Sequence, residues 1–224
     1  MDKLPIPEAV RQALHARHFR HIVVFSGAGM SADSGIPTFR SGSNGLWQDF
    51  DPQQLATPQA WEHDKAMVWG WYEWRRGLVM AAQPNAGHLA VARLQQRHGA
   101  KVVTQNVDDL HERAAAAVGV PSPRDVAVHL HGSLFAARCR DCSAPFALPR
   151  TAAGTPDGAD GRLRPPACGA CGGMVRPGVV WFGEALPRVA WNAAETAVRD
   201  ADAMVVVGTS GVVQPAAGLV TQAL

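Results

Sequence analysis

The sequence predicts an α/β fold: a parallel sheet with helices on both faces, carrying a helical insertion and a small cysteine-bearing module. Three observations predict it. Short apolar, β-branched runs at residues 22–25, 101–105, 126–130 and 204–207 alternate with longer segments of helical character, the pattern of strands joined by crossover helices. The first of these runs leads directly into Gly27, Gly29 and Ala32, spaced G-x-G-x-x-A. The four cysteines form two C-x-x-C pairs inside a Pro/Gly-rich stretch at 139–173. A length of 224 residues and an apolar content of 47% suit one such domain with an inserted module and an ample core.

Taken in order, residues 7–18 read as an amphipathic helix with Val10, Ala13 and Leu14 on one face. Residues 22–25 form a short buried strand bounded by small residues. Residues 58–80 are a long helical candidate bearing Trp61, Trp69, Trp71 and Trp74, with Pro58 suited to its first turn and Gly70 or Gly77 as places to break it. Residues 86–98 are a further helix stopped by Gly99. A strand at 101–105, a helix at 108–118 and a strand at 126–130 follow. The polar stretch 151–161 reads as a loop. A short strand near Val179, a helix at 187–199, a strong strand at 204–207 and a helix beginning at Pro215 complete the pattern.

Composition excludes several functions. The net charge of +2, without any run of five basic residues, gives no basis for nucleic-acid or anionic-membrane binding. No apolar run reaches membrane-spanning length, and residues 1–7 carry no signal-peptide pattern, so a cytoplasmic location is expected. Four cysteines are too few for a disulfide scaffold in a chain of this length.

The chemistry-bearing residues cluster at strand ends. Glycines in G-x-G-x-x-A permit a tight turn, let the backbone approach a pyrophosphate, and leave a small third residue for close helix packing; the turn amides offer an anion site. The reading is Rossmann-like. A dehydrogenase would show a second strand with an acidic residue about 20 positions on; here Pro37, Phe39, Arg40 and a turn-rich aromatic stretch at 41–50 follow instead. This is a dinucleotide site without the signature of hydride transfer. Thr104, Gln105, Asn106, Val107 and Asp108 sit where a strand meets a helix, facing the crevice at the sheet's carboxyl edge; Asp108 is either a ligand-facing group or a helix cap. His131 ends the next strand beside Gly132, with His129 on the same side, and a histidine there can titrate near neutral pH. Gly208, Thr209 and Ser210 follow a third strand. Cys139-x-x-Cys142 and Cys168-x-x-Cys171, with 25 intervening residues, offer four thiolates for a closed structural zinc, the alternative being redox-active pairs. Tyr72 and Arg75, three residues apart on one helical face, are either core neighbours or a clamp for a carboxylate.

Together, G-A-G-x-S-x-x-S-G-I-P-x-F-R, T-Q-N-V-D-x-L-H, H-G, the paired C-x-x-C turns, V-V-W-F-G-E-x-L-P and V-V-G-T-S-x-x-x-x-P-A resemble the sirtuin family over residues 22–218, in the family's order. The resemblance implies an NAD-dependent protein-lysine deacylase. It implies that Gly27, Ala28, Gly29, Ala32, Ile36 and Arg40 contact NAD, with Phe39 over its ribose. Gln105 would touch the ribose, and Asn106, Val107 and Asp108 the nicotinamide side. Gly208, Thr209 and Ser210 would meet the adenosine portion. His131 would be the general base, and Val180, Trp181 and Phe182 would pair with the substrate peptide as an added strand. Tyr-x-x-Arg at Tyr72 and Arg75, with Ala56 as the small residue of a wide pocket, resembles the desuccinylase and demalonylase class, so succinyl- or malonyl-lysine is the expected substrate, with acetyl-lysine also accepted. NAD as co-substrate, one structural zinc ion, acylated lysines of proteins as partners and a monomeric chain are expected. A mono-ADP-ribosyltransferase is the nearest rival, followed by a non-catalytic zinc-containing binding module and a dehydrogenase. The expected division is a discontinuous NAD-binding domain (1–40, 99–136, 175–224), a helical insertion (41–98) and a zinc module (137–174). His129 stands where the family often has an acidic residue, and Gln214 where it often has an aromatic. Family members usually continue beyond the position of Leu224 through a strand and an Asn-rich segment, which gives the expectation of a truncated chain.

Overall fold

The computed structural model describes Glu8, Gln12 and residues 19–38, 51–123, 126–149 and 161–223. The predicted first helix, Phe39, Arg40, the stretch 41–50 and most of the polar stretch 151–161 fall outside them, apart from Glu8 and Gln12, which are helical and joined by a 3.1 Å side-chain bond across one turn.

Four strands form a parallel sheet in the order β3-β2-β1-β7: β1 (Ile22–Ser26), β2 (Lys101–Thr104), β3 (Ala127–His129) and β7 (Ala203–Val207). The continuous apolar run of β1 is the signature of a strand covered on both faces. Val23 and Phe25 pack with Val103 against helices α6 (Arg188–Arg199) and α7 (Gly218–Gln222), while Val24 and Val102, on the opposite side of the pleat, are equally buried. Helices α4 (Ala86–His98) and α5 (Leu110–Val118) pack on each other through Ala92, Ala114 and Ala115. The parallel sheet with helices that the sequence predicts is therefore present.

The long helix expected over 58–80 is two helices, α2 (Pro58–His63) and α3 (Lys65–Ala81), preceded by the short α1 (Pro52–Leu55). The break falls at Asp64 rather than at either glycine. Its backbone (φ −148°, ψ 86°) leaves the helical region, its N–H closes α2 on the Ala60 carbonyl, and its carboxylate accepts the Met67 N–H at 2.9 Å to open α3. Gly70 stays inside α3 because a Cβ there would meet the Gly161 carbonyl oxygen, and Leu163 donates to the Ala66 carbonyl beside it.

A second, antiparallel sheet has the order β5-β4-β6, with β4 (Gly132–Cys139), β5 (Pro145–Phe146) and β6 (Val175–Val179). The sequence foresaw only a short strand near Val179. β4 runs across residue 136/137 and β6 begins at 175, so this sheet draws on chain from both sides of the expected domain limits. It shares one core with the helical insertion: Trp61, Trp71, Tyr72, Leu134, Val175, Val179 and Trp181 form a contiguous buried cluster. No helix among the described residues is long and apolar enough to cross a membrane.

Candidate active site

Ser26, Thr104 and His129 lie side by side at the carboxyl ends of β1, β2 and β3, which brings the segments that follow them into one crevice, as an open α/β sheet requires. The glycine loop closes this crevice by backbone packing. Gly27 N–H donates to the Val207 carbonyl at 3.1 Å and Gly29 N–H to the Gly208 carbonyl at 2.8 Å. Gly208 holds φ +65°, and a Cβ on it would stand 2.1 Å from the Met30 nitrogen, so only glycine admits this approach. One expectation is corrected here: Ala32 is exposed within a 3-10 turn over Ala28–Ser34 rather than packed beneath an α-helix. Ile36 is buried in the helical core, and Ala28 and Thr209 are half-buried while Ser210 is exposed.

The centre of the crevice is a hub around Ser31. Its hydroxyl donates to Asp108 Oδ2 at 2.8 Å and accepts from Asn106 Nδ2 at 3.1 Å. His88 joins it: the ring accepts the Asn85 N–H at Nδ1, so Nε2 carries the proton and faces the Ser31 oxygen at 3.4 Å. The other Asp108 oxygen accepts the Leu110 N–H at 3.1 Å, just ahead of α5, whose N-cap position is Asp109. Behind it, Ser26 donates to Thr104 at 2.8 Å and meets His111 Nε2 at 3.0 Å, and burial, followed by the nearby histidines, lowers the His111 pKa to about 3. Gln105 reaches across to the Thr209 hydroxyl at 3.1 Å, and the Val107 carbonyl accepts the Leu134 N–H. Sequence reasoning did not single out Ser26, Ser31, His88 or His111 as site residues. Ser31 and His111 were visible inside the quoted motifs, and the Asn85-x-x-His88 spacing is a capping-box signal.

His131 contacts the Gln105 carbonyl through Nδ1 at 3.0 Å. A carbonyl only accepts, so Nδ1 bears the hydrogen and Nε2 carries the lone pair of the neutral ring. Burial lowers the His131 pKa, and the Gln105 carbonyl restores only part of that loss. Two residues earlier, at the end of β3, His129 contacts the Asn106 carbonyl at 2.8 Å and Glu112 at 2.8 Å.

Beside His131, residues 180–184 are clamped from within. Val180 N–H donates to the His131 carbonyl, Phe182 N–H to the Ala56 carbonyl and Trp181 N–H to Glu184, each at 2.9 Å. All three amides are thus engaged, and the Trp181 carbonyl accepts the Glu184 N–H at 3.0 Å. Arg176 lies 3.4 Å from the Trp181 ring centroid and forms a two-pronged pair with Glu184 at 2.5 and 3.0 Å. Burial raises the Glu184 pKa, but Arg176 and the Trp181 N–H outweigh it and hold the carboxyl low. Phe182 is exposed, whereas Trp181 is buried. Tyr72 and Arg75 are both buried on α3. Trp71 meets the Tyr72 ring edge-on at 4.7 Å, and the guanidinium lies 5.1 Å from the Trp71 ring. Burial raises the Tyr72 pKa against the pull of Arg75, and burial lowers that of Arg75 against the pull of Tyr72 and Asp108.

The four cysteines come together, their sulfur atoms all within 4.8 Å of one another. Cys139 and Cys171 approach to 3.5 Å, Cys142 and Cys168 to 3.7 Å. Zinc–thiolate bonds place tetrahedral sulfurs about 3.8 Å apart, so the spacing fits one ion with no open position. Backbone N–H groups of Asp141, Ala170 and Gly173 point at Cys139, Cys168 and Cys171 at 3.4 Å, as thiolates require. The Cys142 N–H helps lower the Cys139 thiol to about 7, while the neighbouring thiols, against the pull of the Gly173 N–H, push Cys171 up to about 12. Four negative sulfurs can share this volume only around a cation.

Comparison with known proteins agrees with this architecture. Residues 27–215 match the model of the Sir2 family. A Pseudomonas aeruginosa protein named NAD-dependent protein deacylase 1 is 55% identical over 202 residues, covering 88% of this chain and 76% of its own. An NAD-dependent protein deacylase of Corynebacterium glutamicum is 45% identical over 223 residues, covering 98% and 82%. Among solved structures, a complex of a Sir2 homologue with NAD superposes with a TM-score of 0.83 at 42% identity, covering 98% of this chain and 78% of that one. With most of its length matched in sequence and in fold, the chain belongs to the Sir2 family.

Proposed function

We propose that this protein removes acyl groups from lysine side chains of proteins with NAD as co-substrate, and that His131 is its general base. The observation that carries this reading is the Ser31 hub. It fixes Asn106 and Asp108 in a buried position while Asn106 Oδ1 stays buried without a partner. An amide donor such as the nicotinamide carboxamide satisfies that orphaned acceptor. Bound NAD would supply a ribose that loses nicotinamide and accepts the acyl group, and with one water consumed to break the acyl carbon–nitrogen bond the products would be free lysine, nicotinamide and O-acyl-ADP-ribose. The chain's part is positional and protolytic. Asn106 and Asp108 hold the nicotinamide end, and Gln105 and Thr209, already linked, border the ribose and adenosine end. His131 takes a ribose hydroxyl proton at Nε2 while Nδ1 stays fixed on the Gln105 carbonyl. The relatives named as deacylases support the reaction class. Gly27, Ala28, Gly29, Ala32, Ile36, Phe39, Arg40, Val107, Gly208 and Ser210 complete the proposed NAD contacts.

For the acyl group, Tyr72 and Arg75 support an acidic chain, succinyl or malonyl, with acetyl also accepted. Both are buried in the cluster that contains Ala56 and Trp181 or beside it, and a buried cation gains most from a carboxylate. Val180, Trp181 and Phe182 would lie alongside the peptide backbone, which adds as a further strand. Mass spectrometry of matched succinyl- and acetyl-lysine peptides, with and without NAD, tests both levels. Arg75→Met is expected to lower desuccinylation by at least tenfold, the worth of one charged hydrogen-bonded contact at about 1.5–3 kcal/mol, and to spare deacetylation. Equal loss of the two activities removes the clamp and leaves the reaction class. Modified peptide mass increased by ADP-ribose would instead mark a transferase.

A further inference from the structure

We infer that His129 is a positioning residue: a doubly protonated imidazole, anchored on Glu112, that holds the backbone carbonyl of Asn106 and thereby the orientation of the Asn106 side chain. The geometry assigns the protons. His129 Nδ1 lies 2.8 Å from the Asn106 carbonyl oxygen, and Nε2 lies 2.8 Å from Glu112 Oε1. Both partners are acceptors, so both ring nitrogens bear hydrogen and the ring is cationic.

The consequence falls on Asn106. Its N–H is held by the Thr104 hydroxyl at 3.0 Å, its Nδ2 by Ser31 at 3.1 Å, and its carbonyl by His129. Oδ1 is buried without a partner. Three anchors on one residue fix where that open acceptor sits, and His129 supplies the one that cannot come from β2 or the Ser31 turn. The arrangement also repeats. His129 and His131, two residues apart on one strand end, take hold of the consecutive carbonyls of Asn106 and Gln105. They differ in what faces the second nitrogen: a carboxylate for His129, and for His131 the position proposed for the reacting hydroxyl.

The charged groups around His129 agree. Burial works against its proton, while Glu112 on α5, the Asn106 carbonyl and Asp108 favour it, and together they raise its pKa. His111, also on α5, is held neutral and adds no competing charge. A raised value means that the stabilisation from this pair is complete below the ordinary histidine value of about 6.5 and is lost as pH rises through the higher native value. Above it, the one remaining hydrogen stays on Nε2 against the Glu112 carboxylate, a lone pair on Nδ1 faces the Asn106 carbonyl oxygen, and that contact is lost.

The inference rests on the NAD reading of the crevice, and two measurements separate them. Imidazole ¹⁵N NMR without any ligand should show His129 with both nitrogens protonated at pH 7 and His131 neutral. NAD binding by calorimetry, with the KM for NAD from pH 6 to 9, is then compared in two variants. In His129→Asn the amide nitrogen replaces Nδ1, so NAD affinity should stay within about threefold of wild type and lose its alkaline decline. In His129→Gln the amide reaches Glu112 instead of the carbonyl, so affinity should fall about tenfold at every pH, the scale of one lost hydrogen bond. A neutral His129 ring at pH 7, an alkaline decline that persists in His129→Asn, or wild-type affinity in His129→Gln overturns the inference. A merely structural role would lower the melting temperature of both variants and leave the KM for NAD unmoved, which also overturns it. Wild-type protein that binds no NAD at any pH overturns the proposed function together with the inference, before any substitution is made.

Discussion

The cysteine cluster and the crevice at the end of the parallel sheet are each assembled from distant chain segments, yet they leave their polar atoms in opposite states. At the cluster, four sulfurs from two turns face one another within 4.8 Å and each turn closes over its thiolate with backbone N–H groups. Nothing is left for a substrate. In the crevice, Ser31, Asn106, Asp108 and His88 satisfy one another, but Asn106 Oδ1 stays open and His131 presents an unprotonated nitrogen. A closed shell stores folding free energy, whereas an incomplete one stores binding and reactivity. The two regions should therefore fail differently when disturbed.

The largest effect is expected at the cluster. Structural zinc contributes on the order of 10 kcal/mol of apparent binding free energy in small domains. Stripping the metal with a chelator, or Cys168→Ser at the buried end of the cluster, should therefore lower the melting temperature by well over 10 °C. Because Cys139, Cys168 and Val175 share a core with Trp61, Tyr72 and Trp181, activity should fall in parallel with unfolding rather than ahead of it. Metal content and melting temperature measured on the same samples check this, and a fully active, zinc-free protein of unchanged stability would break the comparison.

His131→Ala should give the reverse. General-base catalysis is worth roughly 10²–10⁴-fold, so deacylation should fall about a thousandfold with the melting temperature nearly unchanged. The pH dependence sharpens the same point. His131 must be neutral to act, and its native pKa lies below the ordinary histidine value. Activity should therefore persist as pH falls to about 6.5 and decline only through the lower native value. Over that same interval the unfolded chain takes up a proton that the native site refuses, so stability declines with acid as well. A pH–rate profile whose acid limb sits above 6.5 would assign the limb to another group.

The contrast also governs how much could be seen in the sequence. The cluster was legible because its ligands are a rare residue type at fixed spacing, and four cysteines in two C-x-x-C pairs leave few alternatives. The parallel strands were legible because β1 is buried on both faces and reads as an unbroken apolar run. The crevice was legible only in part. Gln105, Asn106, Asp108 and His131 follow strands directly, so strand ends predict their place. Ser31 and His88 meet across 57 positions, and no local pattern encodes that contact. β4 was missed because its run, G-S-L-F-A-A-R-C, lacks β-branched residues and its pairing with β6 shifts register between Gly132 and Ala137. The glycine loop was misread at Ala32, since G-x-G-x-x-A does not distinguish a small residue packed beneath a helix from one exposed in a 3-10 turn.

The smallest effect concerns the junction between the two regions, where the sequence placed one long helix and the structure has a break. Asp64 ends α2 and caps α3, and its Oδ2 also meets the Arg162 side chain at 2.8 Å, joining the helical insertion to the segment that leads into the second C-x-x-C pair. The cap and the ion pair differ in worth. An N-cap carboxylate replaced by alanine costs about 1 kcal/mol, whereas a pair with Arg162 45% exposed is worth only a few tenths. Asp64→Asn retains the cap and loses the charge, so it should shift the melting temperature by less than about 1 °C. Asp64→Ala loses both and should lower it by about 2–4 °C, the shift expected per kcal/mol in a chain of this size. Neither should change the KM for NAD, because the hub around Ser31 draws no bond from Asp64. Equal shifts in the two variants would place the stabilisation in the ion pair and make the junction, like the cluster, a matter of charge rather than of helix geometry.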